Sequence, residues 1–375
     1  MITVRQVSSH RDLKEFIEFP DRLYKGNPWY VPKLKTDEYD TLEKDSNPAF
    51  AFSEAAYFLA EKDGKTVGRI AAIINNKANE KWNHKEVRFG WIDFIDDKEV
   101  SAALLEKVVE FGRSRGMDTI VGPLGFTDFD AEGMLVEGYD QLCTMALIYN
   151  YPYYKEHLEA LGYTKEVDWL EYKIFIPEQL PDKIIRVSKI VEQRFNLHVR
   201  KLTKKEITKG GYGQKLFRLV NDSYSDLYNF TPLSEEMINL YIGKYLGLLD
   251  LDFVTIVEDK DGEIAGFAIT MPSITRALQK CGGRLFPFGW FHILKSLFWK
   301  HEESVELLIT GTSKEYRGKG LLALIFSDLI PRFRKGGFVF GESNAELEDN
   351  KSMSNTWDGF ETEQTKRRRI YRKSI

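Results

Sequence analysis

The feature that most constrains this fold is that the chain matches itself. Thr3-Val4-Arg5-Gln6-Val7-Ser8 resembles His198-Val199-Arg200-Lys201-Leu202-Thr203, with Val199 at an offset of 195 from Val4. Residues 57–68 (YFLAEKDGKTVG) parallel residues 254–266 (VTIVEDKDGEIAG), where Gly64 and Gly262 are 198 apart, as are Gly68 and Gly266. The first element alternates polar and apolar residues as a half-buried strand does. The second is a strand, an Asp-Gly turn and another strand, the signature of a hairpin. Two different elements in the same order at nearly the same offset mark a tandem duplication. A duplicated chain of 375 residues divides into two domains of ordinary size.

The boundary falls between Tyr172 and Leu197. Pro177 and Pro181 interrupt the chain after a strand-like run at 169–176. From Asp182 a helical pattern places Ile184, Ile185, Ile190 and Val191 on one side. The expected organisation is therefore a domain at 1–176, a linker helix at 177–196 and a domain at 197–375. In the first copy a strand at 87–95 precedes a helix with Val100, Leu104, Leu105 and Val108 at helical spacing, then a strand at 118–121. In the second, a strand at 305–310 leads to a glycine turn, an apolar helix and a strand at 338–342, with Gly336-Gly337 where a helix C-cap belongs. The second copy also carries an aromatic-rich insertion from Ser273 to about Lys300.

The glycine turn reads Glu315-Tyr316-Arg317-Gly318-Lys319-Gly320. Two glycines strip the turn of side chains, so its amides converge, and the helix from Leu321 aims its positive end at the same point. Such a cradle suits a pyrophosphate. The first copy has Asp96-Asp97-Lys98-Glu99 there instead, which repels an anion and suits a plain helix start. The copies are therefore unequal, with the first reading as a degenerate domain.

Strand, helices, hairpin, strand, Arg-Gly-Lys-Gly turn, helix and strand together resemble the GNAT superfamily of acyl-CoA-dependent N-acyltransferases. Glu315 to Gly320 is similar to its acetyl-CoA motif, and the whole is similar to a bacterial tandem-GNAT protein. The resemblance implies an α/β fold of two tandem GNAT-like domains, each a central mixed sheet flanked by helices. It implies acetyl-CoA or another acyl-CoA as donor, held by Thr310, Gly311, Thr312, Arg317, Gly318, Lys319, Gly320, Leu321, Leu322 and Asn350. It also implies direct attack by an amine of a small molecule or peptide, with Glu306 as the general base. The pattern is departed from in two places. Read from Arg317, the motif has Leu322 where the family keeps a small residue, and read from Glu315 it has a carboxylate where the family has Gln or Arg. Trp357 stands near the family's acid-donating Tyr, which leaves Tyr224, Tyr228 and Tyr371 as substitutes. Two other readings stay open, a non-catalytic acyl-CoA-binding protein and an aminoacyl-type transferase.

Composition narrows the partners. A net charge of −4 gives no global attraction to nucleic acid. Cys143 and Cys281 are isolated, and the six histidines have no ligand spacing, so neither a disulfide framework nor a metal is expected. No apolar run has the length of a spanning helix and no export signal is read, so a cytoplasmic protein is expected. The aromatic run at 285–300 puts residues 290, 291, 294, 297 and 298 on one helical face. It reads as core packing, a lid, a homodimer surface or an interfacial membrane helix. The basic run at 366–373 reads as a solvated edge strand.

Overall fold

The computed structural model describes residues 1–349, 357 and 359–375. Contacts divide the chain into two compact units, one of residues 1–170, 277–290 and 365–375 and one of residues 171–276 and 291–364.

The first unit begins with β1 (Ile2–Gln6), α1 (His10–Leu23) and α2 (Lys35–Leu42), then the hairpin β2 (Ser53–Lys62) and β3 (Lys65–Asn75). α3 (Asn76–Trp82), β4 (Glu86–Phe94), α4 (Lys98–Arg113), β5 (Thr119–Gly122), β6 (Met134–Glu137) and α5 (Tyr153–Ala160) follow, and β7 (Thr164–Phe175) leads out of it. The hairpin turns at Asp63 and Gly64, both left-handed with φ of 53° and 74°, as the Asp-Gly pair predicts. α4 starts where expected, with the Asp97 side chain accepting the Glu99 N–H and Val100, Leu104 and Val108 fully buried. β4 and β5 run parallel and the other pairings are antiparallel, a mixed sheet.

The second unit holds α6 (Asp182–Phe195), β8 (His198–Arg200), α7 (Lys204–Lys209), α8 (Tyr212–Tyr224), α9 (Glu235–Lys244), β9 (Val254–Glu258) and β10 (Ile264–Pro272). The insertion forms α10 (Thr275–Cys281) and α11 (Gly289–Phe298) and gives residues 277–290 to the first unit. After it come β11 (Ser304–Thr312), α12 (Leu321–Lys335), β12 (Phe340–Ser343), β13 (Glu346–Leu347) and β14 (Thr362–Ser374). β14 belongs to the first unit from residue 365, and the other four belong to the second unit. Its sheet is again mixed, with β11 and β12 parallel and β9, β10 and β11 antiparallel. Of the four apolar residues expected on one side of α6, Ile184 and Val191 are buried, but Ile185 and Ile190 are exposed. The helix buries a narrower stripe than its apolar count suggests.

The basic strand required a correction. β14 is no solvated edge, because it pairs with β5 and with β6 inside the first unit. Arg368 is 0% and Lys366 2% exposed. The charges are met rather than hydrated: Arg369 makes a two-pronged contact of 2.8 and 3.0 Å with Asp168, and Arg372 donates to Glu166 at 3.0 Å. Tyr371 is buried here with its hydroxyl toward Glu159 at 3.3 Å. It therefore belongs to the first unit, whereas the glycine turn belongs to the second.

A second buried charge group anchors the first unit. Arg69 donates to Asp93 at 2.8 Å and to the Phe16 carbonyl at 2.9 Å, while the Tyr24 hydroxyl donates to the other Asp93 oxygen at 2.7 Å. Removing one member of a buried pair leaves the other desolvated. Asp93→Asn is therefore expected to destabilise the protein by about 3–5 kcal/mol, read from the urea midpoint of the unfolding transition that reports the first unit.

Candidate functional site

β11 and β12 pair in register only from Ser304↔Phe340 to Leu307↔Ser343, after which no pairing continues. On its other edge β11 stays with β10, but the register shifts between Ile269 and Thr270, so Leu308 is an extra, bulged residue. The strand therefore turns away from β12 at the bulge and exposes an edge. Carbonyls along that edge are held by side chains of alternate spacing. Tyr224 donates its hydroxyl to the Thr310 carbonyl at 3.1 Å and Ser223 donates to the Thr312 carbonyl at 2.9 Å. The N–H and C=O of one strand residue point the same way, so the Thr310 and Thr312 amides share this edge. Gly311 faces the opposite way and is obligatory there, because a Cβ would lie 2.6 Å from the Phe267 ring.

The glycine turn follows directly. Gly318 and Gly320 are left-handed, with φ of 72° and 83°. A Cβ on Gly318 would meet nothing within 4 Å, whereas one on Gly320 would reach Val187 of α6 at 3.0 Å. Gly318 thus keeps the turn open and Gly320 lets α12 approach α6. No side chain caps the start of α12, so the amides near Leu321 and Leu322 meet no capping group. Leu321 is buried and Leu322 is half-buried. Arg317 donates to the Ser223 carbonyl at 3.0 Å, and the Lys319 ammonium lies 5.1 Å from the Phe195 ring centre. Both cations are thereby held at the turn.

Glu306 lies one residue before the strands part, paired across the ladder with Glu342. It is 3% exposed and accepts the Ser273 hydroxyl at 3.1 Å. Asn350 lies outside the described residues. A residue that sequence reasoning passed over, Glu346, sits just beyond the end of β12, where the opening begins. The indole N–H of Trp357 donates to its Oε1 at 3.1 Å. Burial pushes its carboxyl up to about 7, and its charge is among the causes that lift the neighbouring Tyr224, whose own burial takes it to about 12. Trp357, unfit to donate a proton, is thus bonded to a carboxylate that can take one. Its ring packs on Phe326 of α12 at 5.3 Å, which ties the carboxylate to the helix of the glycine turn. Glu346 stands in a run dense in acids, with Glu342, Glu348 and Asp349 around it, so no local signal singled it out.

The corresponding place in the first unit is closed. β4 and β5 also part early, after Arg88↔Val121, and the shift between Arg69 and Ala71 puts a bulge at Trp91, whose φ is 43°. The following loop then returns, with the Leu124 N–H donating to the Phe89 carbonyl at 2.8 Å. A Cβ on Gly90 would lie 2.4 Å from the Leu124 carbonyl. The loop 122–132 fills its own unit's gap. In it Asp130 accepts the Thr127 N–H at 3.0 Å, and burial raises its carboxyl to about 6.

Two mixed α/β sheets with a bulged strand before a helix define a tandem GNAT-like fold. The solved tandem GNAT protein from the clavulanic acid biosynthesis pathway superposes with a TM-score of 0.56 over 100% of this chain and 98% of that one, at 13% identity. In sequence, the chain is 28% identical to Protein YghO of Escherichia coli, over 99% of this chain and 95% of that protein. It is 27% identical to the bacterial ceramide synthase of Caulobacter vibrioides, over 100% of this chain and 98% of that protein. No protein-family model matches the chain.

Proposed function

We propose that this protein is an acyl-CoA-dependent N-acyltransferase whose donor is held by the second of two tandem domains, 1–176 and 197–375. The observation that carries the reading is the parting of β11 and β12 at Leu307 and Ser343, beside an uncapped helix start with an open glycine turn. Amides at Gly318, Gly320, Leu321 and Leu322 would hold a pyrophosphate, with Arg317 and Lys319 supplying positive charge from their side chains, while the Lys319 N–H closes the turn on the Tyr316 carbonyl at 3.2 Å. The edge at Thr310 and Thr312 would hold an extended amide chain by strand-like pairing, with Gly311 keeping the strand close to Phe267. Acyl-CoA would supply a thioester carbonyl open to attack by an amine.

An amine attacks only when neutral, so a base is needed near pH 7. Glu346, poised at about 7, takes that proton while Trp357 holds its other oxygen. Tyr224 orients the strand edge through Thr310. Glu306, the base the family pattern implies, is the second candidate, and the two separate by substitution. If Glu306 only braces Ser273 beneath the opening, Glu306→Gln lowers kcat by less than about tenfold and leaves the acidic limb of the pH profile in place. If it is the base, that limb disappears.

A form of the same reading with a fatty acyl group and the amine of a long-chain base is favoured by the full-length similarity to a protein named a ceramide synthase. The acceptor is otherwise a small-molecule or peptide amine and the donor acetyl-CoA. Calorimetric titration of acetyl-CoA and palmitoyl-CoA into the full chain, followed by assay of thiol release with sphinganine and with short amines, tests both. No binding of either donor overturns the proposal. Binding without turnover on any amine supports a non-catalytic acyl-CoA-binding protein instead.

A further inference from the structure

The aromatic insertion is not absorbed by that chemistry. On α11, Ile293 and Leu297 are buried, whereas Trp290, Phe291 and Phe298 are exposed, as is Trp299 immediately after it. Of the face expected to pack as core, residues 290, 291, 294, 297 and 298, only Leu297 is buried and Leu294 half-buried, and the other three are exposed. In the turn leading into the helix Phe286 is 79% and Phe288 71% exposed, and Trp299 is 66% exposed. A monomer in water has no reason to hold six large aromatic side chains outward within fourteen residues. The charge pattern is equally one-sided. From residue 264 to residue 301 there are five basic residues, Arg276, Lys280, Arg284, Lys295 and Lys300, and no carboxylate, in a chain of net charge −4. Glu302, the first acid after the helix, is turned inward, accepting the Arg276 N–H at 3.0 Å and the Ser296 hydroxyl at 3.2 Å. Beside the helix, the Lys204 ammonium lies 5.6 Å from the Phe298 ring centre and donates to the Gly247 carbonyl at 3.1 Å. Next to Gly247, Tyr245 and Leu248 are also exposed.

We propose that α11 from Phe291 onward, with Trp299 and the adjoining Tyr245–Leu248 edge, docks on the surface of an anionic lipid bilayer. Aromatic side chains with one apolar body and a polar edge favour the headgroup boundary, as Trp299 would. Lys295, Lys300 and Lys204 flank the apolar face, where they meet lipid phosphates while their stems lie along the hydrocarbon. Among the described residues no helix is long and apolar enough to cross a membrane, so the contact is interfacial. This proposal does not depend on the acyl-transfer reading, and its test needs no turnover.

The full chain is sedimented with vesicles of phosphatidylcholine alone and with phosphatidylcholine mixed with phosphatidylglycerol. Two double variants are compared, Phe291→Ser with Trp299→Ser, and Lys295→Glu with Lys300→Glu. The expected result is binding to the anionic vesicles that weakens with added salt and falls at least about tenfold in each double variant. Unchanged urea midpoints show that the variants remain folded. Absence of binding to anionic vesicles, equal binding to neutral ones, or binding unaffected by either pair overturns the proposal. Light scattering that finds a dimer dispersed by the Phe291→Ser, Trp299→Ser pair also overturns it, and assigns the face to a second copy of the chain.

Discussion

Glu346→Gln is expected to lower kcat for amine acylation by about a hundred- to ten-thousandfold, the range of a lost general base, while making the folded protein more stable. The two effects have one cause. Burial raises the Glu346 carboxyl from its ordinary 4.5 to about 7, so the ionised form that accepts a proton is also the form the fold disfavours. The sign follows from which state binds the proton. Between pH 4.5 and 7 the native state holds a proton on Glu346 that the unfolded state has lost, so stability falls as pH rises through this window and levels off above it. The total is about 3 kcal/mol at most. Glutamine keeps the acceptor for Trp357 and cannot ionise. The variant should therefore match wild type below pH 4.5 and exceed it at pH 8, as read from urea midpoints. Wild-type kcat should rise about tenfold per unit below pH 7 and flatten above it, whereas the variant should show no such limb. Equal pH profiles for the two proteins would exclude Glu346 as the base.

The second large effect concerns the glycine turn. Gly318→Asp is expected to weaken acyl-CoA binding by about a hundredfold or more, as one negative charge placed about 5 Å from a pyrophosphate implies at an effective dielectric near 20, about 3 kcal/mol per unit charge. Added salt should reduce the loss, because the position is open to solvent. Gly318 is the informative choice because a Cβ there meets nothing, while the φ of 72° strains any side chain. Gly318→Asn separates the two effects. Asparagine tolerates the left-handed conformation and matches aspartate in shape, so it should retain most of the affinity. Similar losses in both variants would mean that strain, rather than an anion at the turn, sets the effect. Gly320 is a poorer test, because its Cβ would press on Val187.

How far the site was legible depended on whether the signal was local. The turn Arg317 to Gly320 was readable because its left-handed positions favour glycine and because an apolar helix follows it. The Asp97 start of α4 was readable for the same kind of reason, a side chain capping its own helix. Glu346 was not. Its carboxyl is raised by burial, against the opposing hydrogen bond from Trp357 eleven positions later, and burial by distant walls leaves no periodic trace. Nor was the bulge at Leu308 visible, since it is a mismatch between β10 and β11 rather than a property of either strand. The run 366–373 failed most plainly. Its arginines looked solvated because the partners of Arg369 and Arg372, Asp168 and Glu166, come from β7, about two hundred positions earlier.

What the amino-acid sequence determined by itself is everything that short-range backbone preference and periodicity dictate. That covers the duplication, the Asp-Gly hairpins, the helices with their buried stripes and the glycine turn before α12. Only the tertiary structure decided which sheet receives β14, that the opening in the first unit is filled by its own loop, that the aromatic face of α11 points outward, and which carboxylate stands at the parting of β11 and β12. The physical reason is the same in each case. Strand partnership, burial and the proton affinity of a buried acid belong to groups far apart in the chain, and they acquire values only when folding brings those groups together.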